Sequence, residues 1–358
     1  MEPVRYGVIG CGMIAFHKHL PAMKKAGAHL VAACDSSASL AQQAIDQFGV
    51  SGAKAYTDWE ALLRDDAVEA VLILTPNFLH ERMTVAALHA GKHVLCEKPM
   101  AISAQEAQNM LRARDDSGKL LTIGCQYRFM PASRYIKQEV DAGALGDIYY
   151  AKARALRRRL VPTWGDFFNK ETQGGGAVID FATHVLDLTL YLMNNYRPAL
   201  VMASTYNAFG HAKDAGNRWG SWNDRPYEVE DAAFAMVRME NGATMYLECS
   251  WALNTLEVGD TQLQLCGTQG GADTFDGLRI NGVKHNTQYV LRPDLKGTGD
   301  VPFAPVFTED DLAARNFIRA IRGEEDLCVL PEQTACVAAL TEAIYQSAAS
   351  GRPVELLK

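Results

Sequence analysis

Gly7-Val8-Ile9-Gly10-Cys11-Gly12-Met13-Ile14-Ala15 continues a short β-like run that begins at Val4 and leads into a helical pattern. It reads as a strand, a tight glycine turn and a helix start. Gly10 suits the sharp turn, Gly12 lets the backbone approach a pyrophosphate, and Ala15 is small enough for the helix to pack on the strand. Amide groups and the helix dipole at such a start favour an anion, which makes Met13 and Ile14 candidate phosphate contacts. Glycine turns between a strand and a helix also arise for steric reasons alone, so the surrounding chain has to decide.

The next apolar run, His29 to Cys34, ends in Asp35 and Ser36, and Asp35 lies 23 residues beyond Gly12. A dinucleotide fold places at this point the carboxylate that takes the adenosine ribose hydroxyls. An acid there repels a 2′-phosphate, which favours NAD over NADP. The competing role for Asp35 is to cap a helix beginning near Ala38; the glycine loop before it tips the reading toward ribose binding.

The chain of 358 residues suggests two domains on a prior of about 150 residues each. Its formal charge of −7 gives no support for a nucleic-acid or membrane partner. The eight cysteines are scattered without a C-x-x-C pair, which argues against disulfides or a metal cluster. No apolar signal region opens the chain and no apolar run reads as long enough to span a bilayer, so a reducing, cytoplasmic setting is expected.

Strand and helix alternate over residues 1–123, as in a doubly wound parallel sheet with right-handed crossovers. Ala38 to Phe48 is expected to be a helix ended by Gly49, and Thr57-Asp58-Trp59-Glu60 resembles a capping box. Ala70 to Leu74 reads as a buried strand broken by Thr75-Pro76-Asn77, and Phe78 to Ala90 as a helix. His93 to Cys96 is a short strand ending in Glu97-Lys98-Pro99. A long helix follows Ser103 toward Gly118, and Leu120 to Gly124 returns to the sheet. Ligands bind beyond the C-terminal ends of such strands, where Gly10, Asp35, Thr75, Asn77, Glu97, Lys98 and Gln126 all fall.

The pattern changes near Asp147. Residues 124–358 form a second, α+β domain built on a large antiparallel sheet, with strands at Ile148 to Ala155, Ala199 to Ala208, Asp231 to Met239, Ala243 to Trp251 and Gln262 to Cys266. Asn241-Gly242 marks a hairpin. Ala177 to Met193 is helical, Thr308 to Arg322 is a helix capped by Thr308 and stopped by Gly323, and Pro331 to Ala349 is another. These C-terminal helices are candidates to pack back on the first domain. Gly210 to Asn223 and His285 to Pro305 are expected to be the mobile stretches.

The combination of GVIGCGMIA (7–15), TPNFLH (75–80), AGKHVLCEKP (90–99) and GGGAVIDFATHVLDL (174–188) resembles the Gfo/Idh/MocA family of sugar and polyol oxidoreductases. The resemblance implies a Rossmann domain binding NAD(H) or NADP(H), followed by an open-faced antiparallel sheet. It adds His80 to the cofactor-contacting set and places the lysine of Glu97-Lys98-Pro99 near nicotinamide and substrate. Taken alone, a lysine at a strand end is more often a solvated charge. Beside a bound nicotinamide, an ammonium favours the negatively charged form of the reacting oxygen. The peptide before Pro99 is open to either isomer.

Asp180 and His184 are spaced i, i+4 and share a helix face, with Asp187 continuing it. Such a pair is either a helix-stabilising contact or part of a metal site, and a metal needs at least one more ligand. His80, His89 and His93 are the spare histidines, nothing places them there, and no metal is expected. By resemblance, His184 takes the proton from a substrate hydroxyl and Asp180 positions the reacting groups. A reference pKa of about 6.5 lets histidine exchange protons near neutrality. Asp187 is expected to be a structural cap or a buried partner.

Arg157-Arg158-Arg159 and Trp164 suit a sugar wall through hydroxyl hydrogen bonds and ring stacking. A solvated strand edge explains at least one of the arginines equally well, and Trp164 is alternatively a core residue. Tyr127-Arg128 is a candidate to close the site over substrate. Trp219, Trp222, Glu230 and Asp231 receive no role. Trp164-Gly165 departs from the Trp-Arg of many relatives, which weakens an inositol-type assignment and leaves pyranosides open.

These features predict an NAD-dependent dehydrogenase acting on a secondary hydroxyl of a cyclic sugar or polyol. Relatives of this kind also include enzymes that retain NAD while cleaving glycosides by oxidation and elimination, and a non-catalytic NAD-binding sensor is a third alternative. A homo-oligomer, dimer or tetramer, is expected from the same resemblance.

Overall fold

Six strands of the first unit form one parallel sheet: β1 (Arg5–Ile9), β2 (His29–Cys34), β3 (Gly49–Tyr56), β4 (Ala70–Ile73), β5 (His93–Cys96) and β6 (Leu121–Ile123). Their order is β3-β2-β1-β4-β5-β6, and every neighbouring pair is parallel. The order reverses between β1 and β4, so the glycine loop after β1 sits at the switch point where doubly wound sheets bind ligands. The computed structural model describes residues 2–212, 215–222, 225–295 and 308–356. The chain divides into two compact units, Met1–Phe129 with Phe303–Ala335, and Met130–Pro302 with Cys336–Lys358.

Central β4 is buried at all four positions. Both of its faces are covered, so its sequence reads as an unbroken apolar run. Edge strand β3 is Gly-Val-Ser-Gly-Ala-Lys-Ala-Tyr, has no buried position and was not anticipated as a strand. At an edge the ladder is satisfied on one side only, and no apolar alternation is required to hold it. The helix Ala38–Phe48 has the expected bounds. The short helix Trp59–Leu63 is capped by Asp58, which accepts from the Glu60 amide at 2.9 Å; the expected box starting at Thr57 is therefore displaced by one residue. Ser103 caps the helix Ala104–Ser117, and Gly118 ends it at φ 64°.

Thr308 and Asp311 form a capping box at the start of helix Glu309–Ile321. Its Phe317 and Ile318 enter the first unit's core beside Val8 and Leu72. Lys25 pairs with Asp311 at 2.8 Å. The segment is thus a late addition, in chain order, to the first sheet's apolar layer.

The second unit holds a nine-stranded sheet of β7 (Ile148–Leu156), β8 (Pro198–Tyr206), β9 (Ala232–Met239), β10 (Thr244–Ser250), β11 (Gly259–Gly267), β12 (Gly270–Asp273), β13 (Arg279–Lys284), β14 (Thr287–Leu291) and β15 (Val354–Glu355). The order is β14-β13-β12-β11-β7-β10-β9-β8-β15. The sheet is not wholly antiparallel as expected, because β7 and β10 pair parallel at its centre. Gly242 turns the β9–β10 hairpin at φ 88°. A helix at Pro131–Asp141 also escaped the sequence reading.

Both stretches expected to be mobile contain held structure. Trp222 is 2% exposed and donates from Nε1 to the Gly210 carbonyl at 3.2 Å. His285 and Asn286, at φ 51° and 59°, turn the chain into β14, the double left-handed geometry of a type I′ hairpin. Positions 213, 214, 223 and 296–305 of those stretches lie outside the described residues.

The segment Lys170–Met193 corrects one expectation, since it is helical, long and apolar enough by composition to cross a membrane. Its apolar window is 83% buried inside the protein. That burial is what a core helix requires.

Candidate active site

At the first strand's end, Gly10 has φ 94°, and a Cβ there would lie 2.6 Å from the Leu74 carbonyl oxygen. The turn therefore excludes a side chain on both conformational and steric grounds. Gly12 faces open space, with nothing within 4 Å of a hypothetical Cβ. The amides of Gly12, Met13 and Ile14 have no backbone acceptor among the described residues. These are the free donors that a helix start leaves over. Met13 is 58% exposed beside them.

Asp35 accepts from the Cys11 amide at 2.8 Å and from the Ser37 amide at 2.9 Å. The N-cap of the next helix is Ser37, so Asp35 is not its cap. Its carboxylate braces the glycine loop and stays partly exposed, with Ser36 exposed next to it. An open loop with free amides and an adjacent carboxylate fits the pyrophosphate and ribose of a dinucleotide. Exchanging Asp35 for Asn keeps an acceptor for Cys11 and removes the charge. Loss of a charged hydrogen bond to ribose is expected to lower kcat/KM for NAD about 10- to 100-fold, while kcat/KM for NADP rises. Parallel kinetics with both cofactors check this, and an unchanged NAD/NADP ratio would contradict the ribose role.

Several expected cofactor ligands instead face inward. His80 is 1% exposed, with Nδ1 at 2.7 Å from the Pro99 carbonyl oxygen and Nε2 at 2.9 Å from that of Thr75. Both nitrogens face backbone carbonyls at the ends of β4 and β5, and burial pushes the pKa of the ring down toward the neutral form, whose single N–H donates to one of them. Neither nitrogen is left for a ligand. Glu97 is 5% exposed, meets His19 Nε2 at 2.7 Å, and accepts the Lys98 amide at 2.8 Å. Burial alone would raise its pKa, but the His19 hydrogen bond and the charges of Lys18, His19 and Lys98 hold it well below the usual carboxylate range.

Lys18 also pairs with Asp310 at 3.3 Å. Gln126, oriented so that both ends of its amide are satisfied, accepts from Lys18 at 3.0 Å and donates to the Gly124 carbonyl at 2.8 Å. Glu97 and Gln126 thus belong to a buried polar network that fixes the backbone at Lys98. The Lys98-Pro99 peptide is cis and Lys98 is half-buried. Asn77 opens a single 3₁₀ turn after Pro76. Tyr127 is half-buried in the turn Gln126–Phe129. Arg128, expected to close over substrate, is 1% exposed and donates to the Cys328 carbonyl at 3.0 Å. It is an internal strut, and that role is a correction.

In the second unit, Val178–Ala182 is a π-helical turn that continues into the helix Thr183–Met193. From Ala177 to Leu190, only Asp180 and His184 are not buried. The apolar helix therefore offers one polar window, at the spacing the sequence indicated. Asp180 accepts from Trp251 Nε1 at 3.1 Å, a partner the sequence did not reveal because it comes from β10's end. Asp187 is 2% exposed, in keeping with a structural role.

The start of this helix is held by Glu230. Its carboxylate accepts from the Gly176 amide at 3.0 Å, the Val178 amide at 2.8 Å and Tyr345 Oη at 2.9 Å. Gly176 approaches so closely that a Cβ would overlap the Glu230 carbonyl oxygen, which explains the glycine run before Asp180. An acidic pair next to a strand was the available signal for Glu230, and it was not enough to assign it.

Aromatic rings surround Asp180's partner. Phe167 packs edge-on against Trp251 at 6.3 Å, Trp164 against Phe167 at 6.1 Å, and Trp219 against Trp164 at 5.0 Å. Trp164 is 41% exposed and Trp219 37%, so both offer ring faces. Arg157 stacks over Phe181 at 3.8 Å and pairs with Asp260 at 3.1 Å, whereas Arg158 is exposed. Among the described residues no group of three side chains is arranged to hold a metal.

Comparison with known proteins agrees with both units. Residues 4–125 match the oxidoreductase family with an NAD-binding Rossmann fold, and residues 133–273 match the Gfo/Idh/MocA C-terminal domain. The D-glucoside 3-dehydrogenase of Escherichia coli (strain K12) is 33% identical over 99% of this chain and 98% of its own length. The 1,5-anhydro-D-fructose reductase of Ensifer adhaerens is 28% identical over 98% of each chain. A solved levoglucosan dehydrogenase in complex with NADH and levoglucosan superposes with a TM-score of 0.84 at 23% identity, covering all of both chains. Family models match both units and a full-length relative is 33% identical, so the chain belongs to the Gfo/Idh/MocA family of NAD-binding oxidoreductases.

Proposed function

We propose that this protein oxidises a secondary hydroxyl of a cyclic sugar or glycoside, with His184 accepting the hydroxyl proton, Lys98 stabilising the developing alkoxide and Asp180 positioning the reacting groups. NAD, when bound, supplies the hydride acceptor. The observation that carries the reading is the isolated Asp180/His184 window in an otherwise buried helix. Evolution of a core helix toward packing alone would fill those positions with apolar side chains. The tie from Glu97 to the Lys98 amide supports the same reading, because it fixes the backbone from which the ammonium reaches toward developing negative charge. Trp164 and Trp219 supply exposed ring faces for the sugar's C–H surfaces, and Tyr127 and Arg158 are proposed as further substrate contacts. Full-length similarity to a protein named D-glucoside 3-dehydrogenase supports a glycoside in preference to an inositol.

The test is a panel of methyl glycosides, anhydrosugars and inositols offered with NAD while reduced-nicotinamide absorbance is followed. Accumulation of NADH with a glycoside supports net dehydrogenation. Glycoside cleavage without NADH accumulation would replace it with the redox-cycling mechanism.

A homo-oligomer in a reducing compartment is part of the same reading. Its support is the exposure of Met202, Tyr206, Met236 and Tyr246 together on one sheet face, since contiguous exposed apolar surface of this kind marks interaction sites. All eight cysteines are free thiols. Light scattering is expected to give a dimer or tetramer mass, and Met236→Glu, exposed on β9, is expected to shift it toward monomer.

A further inference from the structure

One pocket in the second unit sets four arginines among apolar side chains such as Leu156, Leu160 and Val258. It encloses about 640 Å³ and is lined by Arg157, Arg158, Arg159 and Arg218, with Asp260 as its only acid. That volume is in the range of small-molecule sites. Two of the arginines are fixed. Arg157 is held between Asp260 and the Phe181 ring. Arg159 donates to the Ala215 carbonyl at 2.8 Å and Asn254 Oδ1 at 2.7 Å, and lies over the Phe209 ring at 3.9 Å.

The other two, Arg158 and Arg218, are exposed and have no ion-pair partner among the described residues. Burial, followed by the charge of Arg158, lowers the pKa of Arg159. Among the described residues, the four lining arginines face one lining acid, Asp260, with Asp231 also acting on Arg159. Phe181, the ring under Arg157, is the residue after Asp180.

We infer that this pocket binds an oxyanion, a carboxylate or a phosphate ester, carried by the sugar substrate. Guanidinium groups match such oxyanions in paired, charge-assisted hydrogen bonds. Two fixed arginines form a rigid wall, and two exposed ones supply the uncompensated charge. An anion relieves the mutual repulsion of the cluster, whereas a neutral sugar leaves it in place. The word substrate rests on the sugar-dehydrogenase reading; the oxyanion site itself does not.

The experiment measures equilibrium binding by calorimetry, using the full chain saturated with NAD. The probes are methyl β-D-glucopyranoside, its uronate and its 6-phosphate. At least one charged glycoside is expected to bind about tenfold or more tighter than the neutral one, with an advantage that shrinks as salt rises. Which of the two does so separates a carboxylate from a phosphate source. Arg158→Ala and Arg218→Ala are each expected to reduce that advantage about tenfold. Arg238→Ala, which removes an exposed arginine on β9, is the net-charge control and is expected to leave the advantage within about twofold. Equal binding of charged and neutral glycosides overturns the inference, as does an advantage that survives both pocket substitutions. If the charged glycoside binds selectively but no glycoside reduces NAD, the oxyanion site stands and the dehydrogenase reading falls.

Discussion

Replacing His184 with alanine is expected to lower kcat by about 10²- to 10⁴-fold, the range that a positioned general base contributes. KM for NAD should change little, because the glycine loop and Asp35 lie in the other unit. Lys98→Ala is expected to lose a comparable factor through a different cause, the lost stabilisation of negative charge on the reacting oxygen. The two losses should be strongly non-additive, since groups acting on one proton transfer and one developing charge behave as a unit. Steady-state kinetics with the best glycoside from the substrate panel, together with NAD titration by fluorescence, separate turnover from cofactor binding. Near-normal turnover in both variants would remove these residues from the mechanism.

The side chain at 184 is suited to this test because the helix around it is otherwise committed to packing. Val185, Leu186, Leu188 and Leu190 are all buried, and they keep the backbone in place when the imidazole is removed. Loss of kcat with an unchanged thermal transition would therefore report chemistry instead of collapse.

The same contrast between packing and chemistry governs what could be read from sequence. Buried strands such as β4 announce themselves because both faces need apolar side chains, and the glycine turn at Gly10 is dictated by a left-handed φ and a carbonyl 2.6 Å from any Cβ. Asp180 and His184 stand out through the family motif they resemble, since their i, i+4 spacing alone is equally that of a helix-stabilising pair or of two metal ligands. Edge strands β3 and β14 do not, because exposure removes the alternation that marks a strand.

Partners distant in sequence were also hidden. Trp251 reaches Asp180 across 71 positions, and Tyr345 reaches Glu230 across 115. Motif position alone misassigned the direction of some side chains. His80, Glu97 and Gln126 occur where ligands gather at strand ends, yet each points into the protein and braces the main chain beneath the residues that remain exposed. A strand end specifies where a residue stands, and the rotamer that follows depends on charges such as Lys18 and His19, supplied by the helix before β2.

Glu230→Ala carries the largest expected effect on stability. The change leaves two buried amides and the Tyr345 hydroxyl without their acceptor at the start of the Asp180/His184 helix. Each unsatisfied buried donor costs about 1–3 kcal/mol, and partial relaxation makes a total of about 3–5 kcal/mol reasonable. The thermal transition of a unit of this size should then fall by about 10 °C. The carboxyl's pKa is raised, with burial as the main cause opposed by the hydrogen bonds it accepts. A carboxyl whose folded pKa lies above its unfolded value binds its proton more tightly when folded. Its protonated form contributes stability below the unfolded value, and that contribution is lost as pH rises through the folded one.

Wild-type stability from this group should accordingly decline through the window above the ordinary carboxylate pKa, about 4.3. Glu230→Gln, which cannot ionise and keeps one acceptor oxygen, is expected to flatten that decline while costing less than alanine. Thermal unfolding of all three proteins between acidic and neutral pH measures both effects. An alanine variant within about 1–2 °C of wild type would show that the helix start is held by packing of Gly176 against β9's approach instead.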